Sequence, residues 1–168
     1  MKISIFYTLI AVVIVVMLGV CMSFCCSGDG LKGEDLTFYQ YHVGNGYSGQ
    51  STDYSIYEKD GVVTASIKEC NFLMMREDDS IPCNEYAISD VPREKLIEIG
   101  KLLVDAKIQK WERDYYATDV FDGDNWSVSV RFGDKSFDSH GYMKWPKDAP
   151  FHEINRIIGE LCMPKEER

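Results

Sequence analysis

Between Asp119 and Asn125 the chain places four oxygen-bearing side chains, Asp119, Asp122, Asp124 and Asn125. Hard cations such as calcium take roughly six to eight oxygen ligands, so a weak calcium site is one reading. The spacing is not that of an EF-hand loop, which needs Asp or Asn at alternate positions, then Gly and a distant Glu. Capping of a turn by Asp and Asn is the other reading. His140 follows Asp138 by two residues, which sets both on one side of an extended strand. An imidazole beside a carboxylate is the chemistry of a general base, and a hydrolase using His140 and Asp138 follows from it. Against this, no Ser or Cys stands in a nucleophile-elbow context, and a surface histidine satisfies the same pattern. His42 falls in a β-favouring run, and His152 has no second ligand at zinc spacing. No residue is assigned a catalytic role, and no cofactor is implied.

Cysteines and aromatic residues supply the remaining chemistry. Cys70 and Cys83 flank the polar segment Asn71 to Pro82. A bridge between them would close a short loop and stabilise by roughly 3 kcal/mol in the chain-entropy model; reduced, buried thiols are the alternative. Cys162 lies on the apolar side of the last helix, and nothing beside it marks an activated thiolate. With ten Tyr, eight Phe and three Trp, some aromatic rings must face outward, because neighbours in a strand point to opposite sides. Exposed Tyr and Trp offer large contact area at small entropic cost. Tyr142 and Trp145, with Tyr115 and Tyr116, are the candidate binding surface. Asn125-Trp126-Ser127 also matches a glycosylation sequon.

The elements that carry these residues follow from hydrophobic period and turn chemistry. Trp126, Val128, Val130 and Phe132 alternate with Ser127, Ser129 and Arg131, the period of a half-buried strand. Gly133-Asp134 is a hairpin turn, and Lys135 to Ser139 forms the return strand. A closing helix carries Phe151, Ile154, Ile157, Ile158 and Leu161 on one stripe and stops at Pro164. Upstream, Leu36 to Val43 reads as a strand, and the glycines between Gly44 and Gly49 as a loop. Tyr54 to Tyr57 and Val62 to Ile67 flank Asp60-Gly61, a strong hairpin signal. Asn84 to Ser89 gives a further strand, with Tyr86 and Ile88 on one side. Asp90 stands as N-cap and Pro92 in the first turn of a helix bearing Leu96, Ile99, Leu102, Leu103 and Ala106. Ile108 and Trp111 read as a short strand or edge segment, and Tyr115 to Asp124 as an acidic turn. The order predicts an α+β fold, an antiparallel sheet with two amphipathic helices packed on one face, preceded by an N-terminal membrane-targeting segment.

That segment, residues 1–26, carries Lys2 and then an uncharged run of Ile, Val, Leu, Met and Phe. Its length suits both a bilayer span and a signal peptide. Leu18-Gly19-Val20-Cys21 resembles a bacterial lipobox, with Val20 where a small residue is usual, and Cys26 before Ser27-Gly28-Asp29-Gly30 resembles the start of a lipoprotein tether. Cys21 and Cys26 are therefore the lipidation candidates; an uncleaved anchor and simple secretion remain open. Each outcome puts the folded part outside the cytoplasm, where disulfides persist, and the anchored outcomes keep it in the cell envelope. Residues 27–35 read as a flexible tether and 36–164 as a single domain, whose length needs neither metal nor disulfide to fold. The whole chain stands at a net charge of -9, which disfavours nucleic acid as a partner.

Asp122-Gly123, Trp126 with Val128, Phe132, Gly133-Asp134, Gly141, Pro146 and Phe151 together resemble the C-terminal half of an uncharacterised family of bacterial exported, lipoprotein-type proteins. Its members carry a DG-x-x-W strand, a short charged turn and a glycine-to-proline segment before a closing helix. The helix from Arg93 to Ala106, with Ile108 and Trp111 behind it, is similar to the family's helix and following tryptophan. Met143 departs from the Asn more usual there. The resemblance covers about residues 85 to 161 and implies export and fold, not an activity. The expectation is a membrane-anchored, non-catalytic binding or structural accessory protein of the envelope, with a protein, peptide or glycan partner.

Overall fold

The computed structural model describes residues 30–74, 80–118 and 123–163. The chain divides into two units, Met1–Gly30 and Leu31–Arg168. The lipidation candidates Cys21 and Cys26, the targeting segment, two of the calcium candidates (Asp119 and Asp122) and the stop at Pro164 lie outside the described residues. Among the described residues no helix is long and apolar enough to cross a membrane.

Seven strands form one sheet: β1 (Leu36–Asn45), β2 (Gln50–Lys59), β3 (Val62–Asn71), β4 (Cys83–Ser89), β5 (Asp114–Tyr116), β6 (Asp124–Phe132) and β7 (Lys135–Tyr142). Their spatial order is β4-β3-β2-β1-β6-β7-β5. Among the described residues two helices accompany them, α1 (Arg93–Asp105) and α2 (Phe151–Cys162). The fold is α+β, as the element order predicts. The sheet is mixed and not purely antiparallel, because β5 runs parallel to β7 at the edge. Three residues of Asp114–Tyr116 are too few to show a period of their own, so the expected acidic turn conceals a strand there. The expected strand at Ile108 to Trp111 is instead a 3-10 turn over Ile108–Lys110 that buries Ile108. Trp111 closes it by donating Nε1–H to the Ala106 carbonyl at 3.0 Å.

Turn chemistry fixes the registers. Asp60 and Gly61 both adopt positive φ, 53° and 79°, the primed-turn geometry that matches strand twist and favours a glycine. Asp90 also has positive φ, 61°, and does not cap the helix. Pro92 occupies the N-cap of α1, with no side-chain cap bond. The chain turns at Asp90 because Val91 must come inward: its N–H bonds the Val63 carbonyl at 3.1 Å and its side chain is buried. At the other end, Cys70 and Cys83 stand opposite each other in the β3/β4 ladder and form the disulfide.

One side of the sheet makes the core. Tyr39, Tyr41, Ile56, Ala65, Ile67, Trp126, Val128 and Val130 lie in adjoining register on that side. They are buried in one cluster with Leu96, Ile99 and Leu103 of α1 and Phe151, Ile154, Ile157 and Ile158 of α2. The Phe151 ring stacks on Tyr41 at 4.3 Å and tilts against Trp126 at 5.4 Å. Trp126 fits because its ladder partner is Gly141, where a β-carbon would come within 2.7 Å of the indole. The folded unit begins at Leu31, so residues 31–35 belong to it and not to a tether: Gly33 is buried and the Asp35 carbonyl accepts from Gly133.

Candidate functional site

The opposite side of the sheet carries the chemistry. Strand alternation sends Gln40, His42 and Gly44 of β1 away from the core, together with Ser127 and Ser129 of β6 and Asp138 and His140 of β7. One ladder row crosses all seven strands: Glu85, Lys68, Asp53, His42, Ser127, His140 and Asp114 stand side by side. Every member is polar. The row beside it holds Ser66, Ser55, Gln40, Ser129 and Asp138, and the row on its other side Ser51, Gly44, Asn125, Tyr142 and Tyr116.

Both histidines of the central row are held by carboxylates. His42 Nδ1 lies 3.0 Å from Asp53 Oδ1, with both side chains about two-thirds buried, at 32% and 28% exposure. His140 Nε2 lies 2.7 Å from Asp114 Oδ1 in a more open position. Ser127 separates the two pairs on the intervening strand. Asp138 does not engage His140; its Oδ1 accepts from Ser129 Oγ at 2.7 Å. Residues two apart along a strand are farther from each other than residues directly opposite in a ladder, so each side chain of β7 takes its partner across the sheet. The pairing expected from sequence is thus replaced by Asp114 with His140 and Ser129 with Asp138.

The aromatic candidates separate in the same way. Tyr116 and Tyr142 are ladder partners on the polar side, and the Tyr116 ring meets His140 edge-on at 6.0 Å. Tyr115 points to the core: its ring packs 5.8 Å from Trp126 and its hydroxyl accepts from Glu112 N–H. Trp145 lies beside the Tyr41 hydroxyl while keeping 37% exposure. Of the two described oxygen ligands for calcium, Asp124 Oδ1 accepts from Asn45 Nδ2 at 2.6 Å, and Asn125, its neighbour in β6, faces the polar side. Among the described residues no group of three or more His, Cys, Asp or Glu is arranged to hold a metal ion. The Cys162 thiol is pushed up to about 11 by burial, so at neutral pH it is not a nucleophile.

Asp53, Asp114 and Ser127 were not singled out by their spacing. Their signal is the outward parity of β2, β5 and β6, which becomes a row only when the registers are known. The chain matches no family model and no curated protein.

Proposed function

We propose that the protein is an envelope-anchored, extracytoplasmic binding domain without catalytic activity, and that the polar side of its sheet is the surface that meets a partner protein, peptide or glycan. One observation carries this reading. A seven-strand row of polar side chains, including two carboxylate-held imidazoles, lies on the side of the sheet opposite to both helices. A sheet side needs no such set to be soluble, and the carboxylate contacts hold the imidazoles in fixed orientation, which lowers the entropic cost of binding. The N-terminal apolar segment, with Cys21 or Cys26 as lipid carrier, supports the membrane location, and the resemblance to exported lipoprotein-type proteins agrees with it. The acidic charge supports a partner other than nucleic acid.

The test is retention of envelope proteins and glycans by the full-length protein and by Gln40→Arg, which places a long cation in the middle of the polar side. We expect specific retention by the parent and its loss in the variant, with the melting temperature unchanged. Equal retention by both removes the reading.

A second reading, hydrolysis through His140, draws on one observation: Asp114, His140 and Ser127 are consecutive in the central row. It requires Asp114, and not Asp138, as the carboxylate. His140→Ala should then abolish any ester or glycoside hydrolysis measured for the parent, and undiminished hydrolysis removes this reading.

A further inference from the structure

At one end of the polar side the β1–β2 turn and the segment after β3 border a solvent-open cavity of about 400 Å³, within the range of roughly 300–1,000 Å³ typical of small-molecule sites. Phe72 and Leu73 form its apolar wall, and His42, Gly44, Ser51 and Asn125 its floor. The wall is anchored: Phe72 N–H bonds the Gly49 carbonyl at 2.8 Å, Asn71 N–H bonds the Pro82 carbonyl at 3.2 Å, and Leu73 N–H bonds Asn71 Oδ1 at 3.0 Å. The disulfide sits at the base of the same segment.

Two polar groups converge on this floor. A carboxylate can only accept, so in the neutral imidazole the proton lies on Nδ1, toward Asp53, and Nε2 is left as an acceptor. A β-carbon on Gly44 would lie 3.3 Å from that Nε2 and 3.1 Å from Asn125 Oδ1. The bare glycine therefore lets an imidazole acceptor and an amide that both donates and accepts close in over it, with Gly44 itself buried beneath them. Among the described residues no Lys, Arg, Asp or Glu lines the cavity, and none of these compensates the desolvation of a charged ligand.

We propose that this cavity binds the acetamido group and ring of an N-acetylated amino sugar. The ligand N–H donates to His42 Nε2, its carbonyl accepts from the Asn125 amide, the methyl lies against Leu73 and the sugar ring against Phe72. The cavity volume exceeds what an acetyl group alone would fill, which favours a ring-bearing ligand. This inference rests on the binding reading above and adds a ligand class to it.

The experiment is calorimetric titration and saturation-transfer NMR on the full-length protein in detergent, with N,N′-diacetylchitobiose, with cellobiose, and with Nε-acetyl-lysine. We expect the chitobiose to bind with strongest saturation at its methyl protons, and cellobiose to bind about tenfold more weakly, the factor lost with one hydrogen bond at the upper end of its usual net worth. Gly44→Ala and Asn125→Ala should each weaken chitobiose by a similar factor. If Gly44→Ala fails to fold, Asn125→Ala decides, since Asn125 is exposed. Equal affinity for cellobiose, equal affinity for acetyl-lysine, no binding of chitobiose, or an unaltered affinity in Asn125→Ala each overturns the proposal. Envelope retention lost in Gln40→Arg yet intact in Asn125→Ala overturns the cavity while leaving the polar side as the binding surface.

Discussion

Tyr39 sits at 0% exposure in the centre of β1, and among the described residues its hydroxyl has no hydrogen-bond partner. A buried, unpaired hydroxyl costs its desolvation without return. Burial also pushes the Tyr39 phenol well above its usual pKa, and the neighbouring Tyr41 and Tyr54 add to the shift. Tyr41 and Tyr54 are themselves raised, chiefly by burial. The unfolded chain releases these protons near pH 10 while the folded chain keeps them, so stability is complete below about pH 10 and falls as pH rises toward the folded values. Tyr39→Phe should stabilise the protein at pH 7 by about 1–3 kcal/mol, the cost of one unpaired buried group. It should also soften the alkaline fall, both read from urea unfolding at pH 7 and at pH 10.5. A variant less stable than the parent at pH 7 would mean that the hydroxyl has a partner after all.

At the scale of elements, the β3–β4 connection depends most on covalent help. Every residue of β4 is exposed, and the strand lies at the sheet edge, so packing contributes little to its attachment. The Cys70–Cys83 bridge joins directly opposed residues and closes the loop that carries Phe72 and Leu73. Reduction, or Cys70→Ser with Cys83→Ser, should lower stability by about 3 kcal/mol in the chain-entropy account, seen as a lower melting temperature with dithiothreitol. Coincident melting curves with and without reductant would show that β4 holds by its ladder alone. This bridge was legible in the sequence because two cysteines flank a short segment, and the hairpin at Asp60-Gly61 because a primed turn demands those residues. The N-cap of α1 was misread because Asp90 serves the inward turn of Val91 instead. Strand β5 stayed hidden because its pairing with β7 is a tertiary contact, with no period in Asp114-Tyr115-Tyr116 to announce it.

For the whole molecule, sidedness decides what the surface can do. The alternation in β6 was legible from residues Trp126 to Phe132 alone, and it assigned Ser127 and Ser129 to the side away from the core. What the residues could not disclose was that His42 and His140, nearly a hundred positions apart, flank Ser127 from the strands on either side. Register across non-consecutive strands is set by the packing of the other side, so the polar row is a by-product of the pairing of Tyr41 with Val128 and the stacking of Tyr41 on Phe151. A pair of neighbouring substitutions separates the two sides. Ser127→Arg should leave stability within about 0.5 kcal/mol of the parent, as an exposed position allows. Val128→Arg, at 2% exposure, forces an unpaired charge into the core and should cost more than about 4 kcal/mol, enough to unfold a domain of ordinary stability. Circular dichroism and thermal melting read both outcomes. If the two variants melt alike, the division of the sheet into a packed side and a polar side is wrong, and the binding surface and cavity placed on the polar side lose their foundation.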